Sequence, residues 1–213
     1  MKLVVIGAHR ERNDIEPLTA AIAVSDLWLS GMEVEESQPL GDRDLLLRVA
    51  KMRAALLDRA TFVAIRYGFT AHGSEDAFAK CAAHLDRWRR VLNDFRDHVE
   101  MTLKVAAEAP RARPDRHDFE SGAAYIRALH DTTRATDVAP EFRKAVDETL
   151  APLAVKHRWS NRDTASLEFA ALVKRRDVAA INDAGSALKR DFPSVPFLLS
   201  GPWPLEVFAD DHE

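Results

Sequence analysis

One stretch of this chain leaves little freedom of fold. Phe78, Cys81, Leu85, Trp88, Leu92, Phe95 and Val99 step alternately by three and four residues, which places all seven on one stripe of a helix. Such a stripe also suits a coiled-coil seam, but aromatic residues and a cysteine at seam positions favour packing on a sheet. At Val99 the period changes to two. Val99, Met101, Leu103 and Val105 alternate with Glu100, Thr102 and Lys104, the pattern of a half-buried strand, so the helix is expected to stop near His98.

The preceding residues supply the rest of a sandwich. Leu3-Val4-Val5-Ile6-Gly7 reads as a strand buried on both faces. Asn13-Asp14 offers an N-cap, with Ile15, Leu18 and Ile22 at helical spacing, which predicts a short helix to about Val24. Asp26 to Glu36 predicts a second strand, broken by Pro39 and Gly41. Leu45, Val49, Met52 and Leu56 then predict a helix from Asp42, and Thr61 to Tyr67 a third strand, with Gly68 and Gly73 bounding a turn. The element order to this point is β-α-β-α-β-α-β. Helices covering one face of short strands make an α+β sandwich over residues 1–106, for which a ferredoxin-like arrangement is a candidate.

Residues 107–120 carry two prolines and balanced charges, and read as a linker. A smaller α+β unit follows over 121–213. Ala123 to about Arg134 predicts one helix; Phe142, Val146, Thr149 and Leu153, opened by Pro140, predict another. Val155–Trp159 and Leu167–Val173 read as strands around Ser160-Asn161-Arg162-Asp163. Arg176 to Arg190 reads as a helix, and Val195 to Leu199 as a last strand running into Gly201-Pro202-Trp203-Pro204.

Composition narrows the function classes. With 46% hydrophobic and 30% charged residues, the chain is that of an ordinary globular protein, and its net charge of −4 argues against a general nucleic-acid binder. No apolar run approaches the roughly 18–20 residues of a membrane span. Leu3 to Ala8 is too short for a signal peptide and is followed by His9-Arg10-Glu11-Arg12, so a cytoplasmic location is expected. Cys81 is the sole cysteine, which excludes an intrachain disulfide.

Catalytic signatures are missing. Neither a GxGxxG nor a GxxxxGK[ST] loop occurs, and no serine sits in a GxSxG elbow. His72, His84 and His98 lack the spacing of helical metal ligands. Cys81 lies on the apolar stripe, where an inert thiol is expected. Arg87-Trp88-Arg89-Arg90 reads as a solvated face around a buried tryptophan. No enzyme activity, cofactor or metal is therefore expected.

Two features stand apart. Arg66 interrupts Phe62-Val63-Ala64-Ile65-Arg66-Tyr67-Gly68; it either points to solvent or a stabilising carboxylate, or presents its guanidinium to a partner. Gly201-Pro202-Trp203-Pro204 is stiff and unsuited to a central strand. It either locks the tail onto the core or offers Trp203 as an anchor for a partner.

These segments carry a resemblance. The strand around Arg66-Tyr67-Gly68 resembles the "LPVRFG"-like strand of the gas vesicle L/F (GvpL/GvpF) family. Val99-Glu100-Met101-Thr102-Leu103-Lys104-Val105 is similar to that family's "E-W-x-V-K-V"-like strand, and Gly122-Ala123-Ala124-Tyr125-Ile126 to its "G-x-x-Y-L" helix start. Gly201-Pro202-Trp203-Pro204 with Phe208 resembles the "GPWPPYSF" ending, with Leu205-Glu206-Val207 in place of Pro-Tyr-Ser.

The resemblance implies a two-part α/β protein, ferredoxin-like at its N-terminal end. It implies an accessory protein or minor shell component of gas vesicles that contacts the small hydrophobic shell protein and other vesicle accessory proteins. The implied partner-binding or structural residues are Arg66, Tyr67, Gly68, Glu100, Lys104, Gly201, Pro202, Trp203, Pro204 and Phe208. The alternative from the residues alone is a ligand-binding sensor or small-molecule enzyme using the sandwich near Arg66.

Overall fold

The computed structural model describes residues 1–11, 20–106, 114–134, 140–163 and 166–209. Its contacts divide the chain into two compact units, Met1–Glu100 with Trp203–Glu213, and Met101–Pro202. The end of the chain thus belongs with the first unit.

In the first unit the apolar opening run forms β1 (Lys2–His9), buried from Leu3 to His9. It pairs antiparallel with β3 (Leu27–Val34), which pairs in turn with β2 (Ala20–Val24). Residue 31 must be glycine: a Cβ there would lie 2.3 Å from the Val4 carbonyl oxygen. Ala20–Val24 corrects the expected helix, whose earlier part (12–19) lies outside the described residues. Ile22 and Val24 serve strand and helix patterns alike, and the hairpin ladder to β3 decides between them.

α1 (Arg43–Arg59) is capped by Asp42, whose Oδ1 accepts the N–H groups of Asp44 and Leu45 at 2.8 and 3.1 Å. Leu45, Val49, Met52 and Leu56 are buried as their spacing predicts. The expected strand at Thr61–Tyr67 shortens to β4 (Val63–Ala64), followed by β5 (Thr70–Ala71); both pair with β1. Gly68, at a φ of 98°, turns the chain between them.

The long stripe is carried by two helices, α2 (Ser74–Cys81) and α3 (Leu85–Asp94), joined by a 3₁₀ turn at Ala82–His84. The tighter turn shifts the helical phase. Cys81, Leu85, Trp88 and Leu92 are buried, but Phe78 is 49% exposed and Ala77 takes the inward position.

The sheet order is β2-β3-β1-β4, every pairing antiparallel. A split βαβ sheet has this order. The additional β5 and the α2–α3 pair have no place in a plain ferredoxin-like fold, so the architecture is mixed α+β with antiparallel sheets.

β6 (His98–Ala106) leads into the second unit, where it joins β7 (Lys156–Asp163), β8 (Ser166–Lys174) and β9 (Phe197–Trp203) in the order β7-β8-β6-β9. The β7–β8 hairpin runs past the expected turn, pairing Asp163 with Ser166. Ser166 to Val173 are all buried, which an alternating pattern does not predict. The helices are α4 (Gly122–Arg134), α5 (Pro140–Thr149) and α6 (Val178–Asp191). Phe142 of α5 meets the rings of Phe192 and Phe197 at 5.2 and 5.1 Å. β9 extends beyond the expected Leu199 through Gly201-Pro202-Trp203, with a cis Gly201–Pro202 bond. It is an edge strand, the place in a sheet where proline is tolerated. The first half of the linker expected at 107–120, residues 107–113, lies outside the described residues; in the second half Arg116–Asp118 form one 3₁₀ turn.

Candidate functional site

The tail after β9 returns to β4. Leu205 bridges parallel to Val63: Ala64 N–H donates to the Leu205 carbonyl at 2.9 Å, and Leu205 N–H to the Phe62 carbonyl at 3.0 Å. Pro204, Leu205, Phe208 and Ala209 are buried.

Glu100 holds this return in place. It occupies the polar phase of β6, yet is only 2% exposed. Its Oε1 accepts the N–H groups of Glu206 and Phe208 at 2.9 and 2.8 Å, and Oε2 that of Val207 at 2.9 Å. Burial pushes its carboxyl pKa up, against the pull of the three donors. Glu100 and Phe208, both expected from the sequence, therefore come together, and the expected Pro204 is buried in the same tail.

The other expected residues spread out. Trp203 is 48% exposed at the start of the tail. Arg66 is exposed where the chain leaves β4, and Tyr67 Oη donates to the Leu40 carbonyl at 2.5 Å. Gly201 and Pro202 lie in the second unit, as does Lys104, whose Nζ pairs with Glu168 at 2.9 Å.

Beside the returning tail, the first unit opens a cleft of about 520 Å³ whose walls include Arg53, Arg66, Lys80, Arg87, Trp88 and Glu206. Arg53 Nη2 donates to the Ile65 carbonyl at 2.9 Å, and Lys80 Nζ donates to the Thr70 carbonyl and Asp76 Oδ2 at 2.9 and 2.8 Å. The Trp88 indole stacks with His84 at 5.6 Å between centroids. Sequence reasoning anticipated a ligand site near Arg66 only as an alternative and missed the other cations, because Arg53, Lys80 and Arg87 come from α1, α2 and α3, and Arg66 from the loop after β4. It also missed buried His9, which shares a 2.6 Å hydrogen bond with Ser30 Oγ. Among the described residues, no group of three or more His, Cys, Asp or Glu side chains is placed to hold a metal, and no helix is long and apolar enough to cross a membrane.

The family model of gas vesicle synthesis protein GvpL/GvpF matches residues 15–209. The chain belongs to the GvpL/GvpF family. Its fold is similar to the crystal structure of gas vesicle protein GvpF from Microcystis aeruginosa, with a TM-score of 0.77, 10% identity and 98% of each chain covered. It is similar also to GvpF from Anabaena sp. PCC7120, with a TM-score of 0.68, 11% identity and the same coverage. No curated protein matches the chain. For a GvpL/GvpF chain, the ending read from Gly201 to Phe208 has a structural meaning here: its second half is the strip that Glu100 holds against β4.

Proposed function

We propose that this chain serves gas vesicle assembly in the cytoplasm, as an accessory protein or a minor shell component that contacts the small hydrophobic shell protein and other vesicle accessory proteins. The observation that supports this reading is the family match, which runs from residue 15 to residue 209 and so takes in both units.

Trp203 is the side chain best placed for such a contact. Its backbone runs into the buried Pro204 and Leu205, while the residue as a whole remains about half exposed. An aromatic side chain on an anchored backbone loses little freedom when it is covered, the property of an interface hot spot. Lys104, engaged with Glu168, and Glu100, engaged with the tail, serve the fold. The test is co-expression of the tagged chain with the small shell protein, followed by co-purification and deletion of the chain from a vesicle-forming strain. Association and impaired vesicle formation support the proposal. No association together with normal vesicles refutes it.

A further inference from the structure

We infer that the cleft beside the returning tail binds a small organic polyanion through its phosphate groups. Four permanent cations, Arg53, Arg66, Lys80 and Arg87, line one concavity against a single lining carboxylate, Glu206. The whole chain carries a net charge of −4, so this concentration of positive charge is local. Crowding like charges around a partly desolvated space opposes folding, and a bound anion offsets that repulsion.

The fold accounts for some of these cations. Lys80 is neutralised by Asp76, and one Arg53 donor is spent on the Ile65 carbonyl. Arg66 has no such role. Among the described residues, its side chain has neither a hydrogen bond nor an ion pair. Arg53 Nε is buried and also without a partner among those residues. Guanidinium groups with unspent donors match phosphate oxygens two at a time, which an ammonium cannot do.

The space suits a ligand rather than a lone ion. About 520 Å³ falls within the range of pockets for organic molecules. Tyr67, Phe69 and Trp88 give the cleft aromatic walls beside its charges.

The test is titration calorimetry on the full chain, free of other vesicle proteins and in a chelator, with inorganic pyrophosphate and with ATP. We expect saturable binding of both, weakened about tenfold or more in Arg66→Ala and abolished in Arg66→Glu, since a lost charged hydrogen bond has about that effect. Arg66 is exposed, so both variants are expected to keep their melting temperature, which is measured alongside. Tighter binding of ATP than of pyrophosphate adds a role for the aromatic walls; equal binding assigns recognition to the phosphates, and either supports the inference. Lys51→Ala, an exposed change on α1, is expected to bind as the unaltered chain does. No binding of either probe at about 1 mM overturns the inference. So does binding that Arg66→Glu leaves intact, or an equal loss in Lys51→Ala.

Discussion

Glu100 holds Phe208 by its backbone: the carboxylate Oε1 accepts the Phe208 N–H at 2.8 Å, across 108 positions of sequence. With the bonds to Glu206 and Val207, one side chain satisfies three successive donors of the returning tail. Removing the acceptor takes this shared carboxylate away from all three donors, next to a buried aromatic ring. Glu100→Ala is expected to cost about 1–3 kcal/mol, the effect of leaving the buried Phe208 N–H unsatisfied while the part-buried Glu206 and Val207 N–H groups turn to water. Urea unfolding measures it. A loss below about 1 kcal/mol would mean that the tail is held by its apolar side chains alone.

His9 predicts a pH dependence. Burial pushes its imidazole below the ordinary value of 6.5, against a hydrogen bond to the Glu11 carbonyl. As pH falls, the unfolded chain takes up the proton first. The stability tied to neutral His9 is therefore complete above about pH 6.5 and is lost as pH falls towards the lowered folded value. In His9→Gln, the decline in unfolding free energy between about pH 7 and pH 5 should be shallower than in the parent chain. Parallel slopes would contradict this.

Cys81 faces the core at the end of α2, and burial raises its pKa to about 11. The thiolate is the reactive form, so the native protein should resist thiol reagents near about pH 8 and react on unfolding. Rapid modification of the folded chain would show that α2 opens readily.

Trp203 separates binding from folding. Because the residue is half exposed, Trp203→Ala should lower stability by about 1 kcal/mol or less. The same change should sharply reduce co-purification with the shell protein if the indole is an anchor. Unchanged co-purification would move the contact elsewhere on the surface.

Much of this architecture was legible from period alone. The stepping of Leu45, Val49, Met52 and Leu56, and the change to period two at Val99, correspond to α1 and β6. Where reading failed, the cause was local ambiguity or long range. No glycine or proline marks the 3₁₀ turn at Ala82–His84, so the stripe from Phe78 reads as one helix. Glu100 sits on the outward phase of its strand, and the N–H groups that bury it lie more than a hundred residues away. The cleft has the same character: the sequence singles out Arg66, reads Arg87 as part of a solvated face and passes over Arg53 and Lys80, and these last three reach the cleft from separate helices. The Gly201–Pro204 signature was legible as a motif, whereas its division between a strand edge in one unit and a strip of the other was not.

Co-purification of the tagged chain with the small shell protein tests the central proposal most directly, with Trp203→Ala run in parallel. The account predicts that the shell protein is retained by the parent chain, is lost from the variant, and that vesicles fail to form normally when the chain is deleted. Absence of the shell protein from the parent chain's eluate, with normal vesicles in the deletion strain, would contradict it.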